Sequence, residues 1–502
     1  MVSSSEKGPG DTLKDNHDIP FQHPEAIKAN QHTTQTVLTT AEEPPYSVFT
    51  KWQKRWINMN SSFAAMFSTL SSYIYYPALT SVSQDLGVSL SLINLTVTSY
   101  LIVAGIAPAF LGDMADQSGR RPIYMLMFVL MISANIGIAL QRSFPALLVL
   151  RMLQSAGSSR TAMISAGYGV IADITAVNER GGFVGILLVM TDIAPSLGPV
   201  IGGAITNELG WRWIFWFLVI LTGTHFIILV LFMPETQRNI VGDGSGKVTG
   251  IYWSFFTLFQ SRETRPEIKR PKRRYPNPLS CLPILRHKES FLTILIYAIT
   301  YSVKMTLQTA LGAQCVEIYN LNYLTSGLVY LPSGVSGGIA SYFTGRYLDW
   351  NYKKTGEKLS GYGRDSPQFP IERTRLKGIF ILITISSLGT LGYGLALMTK
   401  AHISVMLIMQ FLTGGSTAST FTMTSTLLTD LNLNRSATAH AASNIVRCLM
   451  AGGAIGIMDP LIKSIGFGWC FGIYAAVALL EIPVVVYLYK MGDRRTQQHG
   501  LS

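Results

Sequence analysis

The chain has 502 residues, 48% of them hydrophobic and only 14% charged, with a mean hydropathy of +0.31. A soluble globular domain carries about 25% charged residues, so the composition excludes an ordinary soluble enzyme. Plentiful apolar side chains with no Gly-x-y period also exclude a disordered or collagen-like chain. The net charge of +12 fits either nucleic-acid binding in a soluble protein or loops held against anionic lipid. The placement of the basic residues decides between the two.

Residues 1–56 are rich in Ser, Thr, Glu, Lys and Asn without an apolar run near Met1. They read as a disordered tail, with no cleaved signal peptide. Apolar stretches of about 20 residues follow, the length that crosses a ~30 Å hydrocarbon core. They fall near 57–79, 90–112, 122–141, 146–171, 182–205 and 213–233, then 289–311, 324–345, 378–399, 403–428, 438–462 and 469–489. The sequence therefore predicts an all-α membrane protein of twelve transmembrane helices. An N-terminal six-helix bundle (57–233), a basic cytoplasmic linker (234–288), a C-terminal six-helix bundle (289–489) and a cytoplasmic tail (490–502) follow from the spacing.

Of the 40 Lys and Arg residues, Arg142, Arg212, Lys400 and Lys463 fall on the side opposite the termini, and Arg151, Arg160, Lys304 and Arg447 fall inside spans. All the others lie on the side of the termini, which the positive-inside rule makes cytoplasmic. The run Lys269–Arg274 resembles a nuclear signal, but between two spans it reads as a lipid-facing or solvated loop, and no nucleic-acid partner is expected. Cys281, Cys315, Cys448 and Cys470 form no C-x-x-C pair, so free thiols are expected, with neither a zinc site nor a disulfide framework. Asn60, Asn94 and Asn434 begin glycosylation sequons, all within spans or on the cytoplasmic side, where modification is not expected.

Between the second and third spans, Gly112, Asp116, Gly119, Arg120 and Arg121 fit G-x-x-x-D-x-x-G-R-R. Glycines permit a tight turn, a carboxylate can cap a helix, and arginines can meet a carboxylate or a helix C-terminus; the plain alternative is a basic turn that satisfies the charge rule. A degenerate copy, Gly345–Asp349, follows the eighth span. The fifth span carries Ala194, Pro195, Gly198, Pro199, Gly202 and Gly203, small and helix-bending residues suited to close packing. Arg151-x-x-Gln154 lies in the fourth span, Pro234-Glu235-Thr236 closes the sixth, and Tyr75-Tyr76-Pro77, Phe369–Arg373 and Asn444–Cys448 stand at spans one, nine and eleven.

Together these motifs resemble the major facilitator superfamily, and within it the fungal twelve-spanner drug:proton antiporter group. The likeness extends over about residues 50–490. It implies two bundles related by a pseudo-two-fold axis, alternating access, a gating role for the Gly112–Arg121 loop, and export along a kinked fifth helix. Exporters of that group carry drugs, polyamines and organic acids of the citrate and itaconate type, and the sequence is closest in feel to the organic-acid exporters. The sequence departs from the group's pattern at Ala194 and Ser155, where glycines are expected.

Ionisable residues inside spans are expensive and face a partner or an aqueous cavity. Thr293, Tyr297, Thr300, Tyr301, Lys304 and Gln308 share one stripe of the seventh helix. Arg151 and Gln154 lie on the fourth helix, Thr413 and Thr417 on the tenth, and His440, Asn444 and Arg447 on the eleventh. At 1.5 Å per residue Arg447 sits about 14 Å and Lys304 about 22 Å from the cytoplasmic ends of their helices. Arg160 is turned about 180° from Arg151 on an ideal helix, and so faces away from the polar stripe unless Gly157 bends the chain.

Two transport readings remain open. In the first, Lys304 and Arg447, with Arg151, Gln154, Asn444, Tyr297, Tyr301 and Gln308, bind an organic anion whose exit the membrane potential favours. In the second, Asp192, Asp459 or Glu481 exchanges protons for a drug, a polyamine or a secondary metabolite. Lys304 and Arg447 also admit a purely structural reading as ion-pair or packing residues. No H-E-x-x-H, nucleophile elbow or ATPase domain is present, and Gly242–Lys247 lacks the ends of a phosphate loop. The expectation is a non-enzymatic, cofactor-free and metal-free monomer in the plasma membrane, with a vacuolar location as the alternative.

Overall fold

A computed structural model describes residues 46–176, 179–246, 249–256, 278–358, 369–432 and 435–500. Helix α1 (Lys51–Tyr73) is started by a capping box: Thr50 accepts the backbone N–H of Gln53, whose side chain accepts that of Thr50. The expected tail over 1–56 is corrected at its end, because 51–56 are helix; residues 1–45 lie outside the described ones. Beyond a 3-10 turn at Tyr76–Ala78, where Pro77 withholds a backbone N–H, the chain continues as α2 (Leu79–Leu86). Then come α3 (Leu90–Ser118), α4 (Arg120–Leu140), α5 (Phe144–Gly157), α6 (Arg160–Ile174), α7 (Arg180–Leu209) and α8 (Arg212–Phe232).

The linker contributes α9 (Arg238–Val241) and 3-10 turns at Gly250–Tyr252 and Pro278–Arg286; the Lys269–Arg274 run lies outside the described residues. A second group follows: α10 (Lys288–Glu317), α11 (Tyr323–Leu328), α12 (Leu331–Lys358), α13 (Ile371–Arg375), α14 (Ile379–Met398), α15 (Ile403–Leu431), α16 (Ser436–Leu479) and α17 (Glu481–Gly500). α16 joins two spans across Gly466, whose φ of 80° only glycine adopts cheaply. Helix α17 continues to Gly500, so residues 490–500 are helical where a tail was expected.

Among the described residues, seven helical stretches are long and apolar enough to cross a membrane, and one of them, Thr438–Asp493, takes in two of the twelve expected spans. The expected spans at 57–79, 146–171, 324–345 and 403–428 fall on helices that are interrupted or more polar. The physical reason is what they bury. α1 turns Asn58, Ser61, Ser62, Ser68 and Ser71 inward, and α15 turns Gln410, Thr413, Ser416, Thr417, Thr420 and Thr424 inward. Hydroxyls donating to the carbonyl one turn back, as Thr417 does to Thr413 O at 2.7 Å, let such helices stay dry.

The cores show where the two groups meet. One apolar cluster near the linker end is confined to the first group, around Ile57, Met127 and Leu229, and another to the second, around Ile296, Ile379 and Val485. At the opposite end a single cluster runs through both, joining Ile74, Tyr76 and Leu79 to Leu311, Tyr330 and Met458. Among the described residues, the apolar cluster that the two halves share lies away from the linker.

Helix α7 builds this seam with two small-residue faces. A Cβ at Gly198 would stand 3.1 Å from Tyr73 Cβ, and Gly202 faces the Ile74 carbonyl, so these residues seat α7 on α1. Pro199 and Gly203 face the other way, onto α11: a Cβ at Gly203 would be 3.3 Å from Gly327 Cα, and one at Gly327 would be 3.2 Å from Val200 Cα. Both prolines lie inside α7, which runs unbroken. At the same end Asp459 accepts from Ser91 and pairs with Lys463 at 3.0 Å, tying α16 to α3.

Candidate functional site

Midway along the bundle the fourth span breaks, and the break sets the site. Gly157 packs so closely on α4 that a Cβ there would stand 2.6 Å from Met127 O. The helix stops at that point and α6 restarts at Arg160. Arg151 and Arg160 are separated by this break. Arg151 is 1% exposed, 4.3 Å from the Tyr75 ring centroid and 4.5 Å from that of Tyr100, and donates to Gln154. Gln154 in turn donates to Ser71 Oγ at 2.9 Å and Asn135 Oδ1 at 2.6 Å. In this conformation Arg151 and Gln154 fasten α5 inside the first bundle and do not reach its centre.

Arg160 is re-aimed by the break and pairs with Asp192 of α7 at 3.1 Å, with 31% and 59% of the two side chains exposed. The interruption beside Gly157 is the condition under which the sequence let Arg160 leave the outward orientation, and its partner is an acid. Lys304 stands on α10 in the other half. No carboxylate among the described residues lies within ion-pair distance of its ammonium, and the Phe421 ring centroid is 5.8 Å away. Phe421 meets Tyr297 edge-on at 4.4 Å and Tyr301 at 5.9 Å, forming an aromatic wall.

Arg447 closes the arrangement from α16. Its guanidinium donates to Asn444 Oδ1 at 2.7 Å, Thr161 Oγ1 at 3.1 Å and Tyr297 Oη at 3.3 Å, and lies 4.7 Å from the Tyr301 ring centroid. Asn444 reaches across to the carbonyls of Ala104 and Gly105 on α3, at 3.0 and 3.1 Å. Glycine is required there, since a Cβ at Gly105 would stand 2.9 Å from Cys448 Cβ. Arg447 and Asn444 therefore join the halves at mid-depth through neutral acceptors. His440 bonds Thr429 of α15 at 2.9 Å instead.

On the α10 stripe Thr300 is corrected, since it donates to Glu481 Oε1 on α17 at 2.9 Å, and the Thr293 hydroxyl donates to Glu289 O of its own helix. Glu481 is buried between those helices, and Asp459 belongs to the seam away from the linker, so Asp192 is the candidate proton carrier that stands at the centre. Gln308 lies deeper, its side chain buried and its backbone carbonyl accepting from Tyr330 at 2.8 Å.

The Gly112–Arg121 segment sits at the linker end and is helical except at Gly119, where the sequence suggested a loop. Gly119, at φ 103°, turns α3 into α4, and Glu235 occupies the space a side chain there would need. The Glu235 carboxylate accepts the backbone N–H groups of Arg120 (2.9 Å), Arg121 (3.2 Å), Thr236 (2.9 Å) and Gln237 (2.9 Å), a carboxylate on the N-terminus of α4. Burial raises its carboxyl above the ordinary range, and these four bonds oppose the rise. Arg120 pairs with Asp173 at 3.2 Å, and Arg121 donates to the Val230 and Trp253 carbonyls. Each of these contacts lies within the first bundle and the linker. Gly112 has open space beside it, and the Asp116 side chain lies outside the described residues.

The second half repeats this clamp where the sequence did not place it. Gly345–Asp349 lies inside unbroken α12. Arg375, just before α14, pairs with Asp430 at the end of α15 at 2.6 Å, as Arg120 before α4's core pairs with Asp173 at the end of α6. The charged Arg373-Thr374-Arg375 ahead of an apolar span is the signal that marks it. Thr161, Phe421 and Gln410 were also missed; the Gln410, Thr413, Thr417 spacing on one helix face was the available cue for Gln410.

Two helical halves sealed together at one end, with charged and aromatic groups at mid-depth between them, are the build of a secondary transporter. The chain belongs to the Major Facilitator Superfamily, whose profile matches residues 61–456. It is 35% identical over 461 residues to citrate exporter 1 of Aspergillus niger, covering 89% of this chain and 87% of that one. It is 30% identical over 512 residues to multidrug transporter QDR2 of Candida glabrata, covering 95% and 88%. The fold resembles the partially occluded inward-open xylose transporter XylE of E. coli, with a TM-score of 0.58 at 14% identity over 86% of this chain and 96% of that one.

Proposed function

We propose that this transporter exports a small organic acid anion, of the di- or tricarboxylate class, by alternating access. The observation that carries the reading is Lys304, a cation on α10 with no carboxylate in ion-pair range among the described residues, set against the Phe421 and Tyr297 wall that Arg447 also meets, while the nearby Arg160 has Asp192 as its partner. A carboxylated cargo supplies the missing negative charge. Similarity to a protein named citrate exporter supports the same class. An inside-negative potential drives the export, since each charge moved across 100 mV is worth about 2.3 kcal/mol. The proposed setting is the plasma membrane, with both termini cytoplasmic and the path contained in one chain.

The competing reading, proton-coupled export of a drug, polyamine or secondary metabolite, is favoured by the exposure of Asp192 at the centre and by similarity to a multidrug transporter. Efflux of labelled di- and tricarboxylates, with a polyamine and a cationic drug as comparators, separates the two in cells expressing wild type or Lys304→Ala. Anion efflux that collapses in Lys304→Ala is the expected result. Efflux of the cationic comparators alone overturns the anion reading and transfers the transport role to Asp192.

A further inference from the structure

Beside Lys304 a narrow recess opens into the second bundle between α10, α12 and α15, lined by Lys304, Gln308, Ser333, Gln410, Thr413 and Thr417. Its free volume is about 10 Å³, room for a single water-sized group. Gly414 narrows it, because a Cβ there would stand 2.6 Å from Ser333 Oγ. The threonines spend their protons on their own helix, Thr413 on Met409 O at 2.9 Å and Thr417 on Thr413 O at 2.7 Å. Two amides are left over. Gln308 is 5% exposed and its Oε1 accepts no hydrogen bond; Gln410 is 2% exposed and its Nε2 donates none.

Buried amide groups without partners are rare in native interiors, and here two residues, one with an unpartnered acceptor and one with an unpartnered donor, line one water-sized recess beside Lys304, whose ammonium has no carboxylate in ion-pair range among the described residues. A hydroxyl group is the one common substituent that donates and accepts through a single small atom. A carboxylate oxygen cannot donate to Gln308 Oε1, and an ammonium cannot accept from Gln410 Nε2. We propose that this recess is a hydroxyl subsite, and that the transporter selects hydroxycarboxylates: Lys304 meets a carboxylate at the mouth while the neighbouring cargo hydroxyl enters between Gln308 and Gln410. The proposal rests on the anion reading above and sharpens its substrate class.

Sites built to hydrogen-bond a hydroxyl reject the analogue that lacks it far more strongly than apolar pockets discriminate by size. The test uses the purified full-length protein in proteoliposomes, comparing malate with succinate and citrate with tricarballylate, pairs that differ by one hydroxyl. Wild type is expected to favour the hydroxylated member of each pair by at least about tenfold in transport efficiency. Gln308→Met and Gln410→Met, close in volume but apolar, are expected to bring the ratio toward unity.

Equal transport of both members by wild type overturns the subsite while leaving the anion reading standing, and assigns the recess to a structural water. Transport of neither member, with a cationic drug still carried, overturns both. A wild-type preference that survives in both Met variants places hydroxyl recognition elsewhere and also overturns the assignment. Equal transport by wild type overturns the subsite even where a variant fails to fold, and either Met variant that folds is enough to place a wild-type preference inside or outside the recess.

Discussion

Gly202 and Gly203 are adjacent in α7 yet serve different interfaces, and substituting each by alanine tests that division. A methyl at 202 meets the Ile74 backbone, 2.9 Å from its carbonyl carbon, inside the first bundle; a methyl at 203 meets the Tyr323 backbone, 3.1 Å from its carbonyl carbon, across the seam. Neither neighbour is a flexible side chain, so each methyl forces a helix shift costing about 1–3 kcal/mol. At 202 the cost falls on the fold, and Gly202→Ala is expected to lower the thermal midpoint with little change in conformation. At 203 it falls only on the sealed state, and the same energy shifts the sealed-to-open equilibrium about 5- to 150-fold. Spin labels at Glu208→Cys and Ser464→Cys, both exposed at that end, read the opening by electron-electron distance measurement, with the four native cysteines buried. Equal losses of thermal stability for both variants, with unchanged label distances in Gly203→Ala, would refute the two-face account.

Two further predictions concern the linker-end clamps. Glu235→Gln keeps an acceptor for the three N–H groups on Oε1 but sets an amide against the Arg121 N–H, so a loss of about 1–3 kcal/mol is expected. Glu235→Ala loses all four bonds, at about 0.5–1.5 kcal/mol each. The thermal midpoints should fall in the order wild type, Gln, Ala, and a Gln variant as damaged as Ala would count against the four-bond cap. Asp430→Ala leaves Arg375, whose side chain is 11% exposed, as a stranded cation at about 3–5 kcal/mol. Arg373→Ala, removing a 58% exposed partner of Asp493, should cost about 0–1 kcal/mol; equal midpoints for the two variants would contradict the buried clamp.

What was legible in the chain followed from local rules. Span length, basic loops on one side and the Gly112–Arg121 and Ala194–Gly203 motifs depend on composition and short spacing. They carried the all-helical membrane architecture, the transporter family and Lys304 as a cation inside a helix apolar enough to cross a membrane. Helix starts were less legible: the Thr50 and Gln53 capping box begins α1 within a stretch whose polarity resembles a tail.

The side chains that meet at the centre were decided only by the tertiary structure. Helical phase assumes an unbroken helix, and the contact of Gly157 with α4 interrupts one, sending Arg151 into the bundle between Tyr75 and Tyr100 and Arg160 to Asp192. Phase also cannot distinguish a cavity from a neighbouring helix, which is why Thr300, on the expected stripe, belongs to Glu481. Sequence therefore marked which stretches are apolar enough to span lipid, because burying charge and spanning lipid are one-dimensional constraints on the chain. Which charge faces which is a property of helix packing, set by close contacts between residues far apart in sequence.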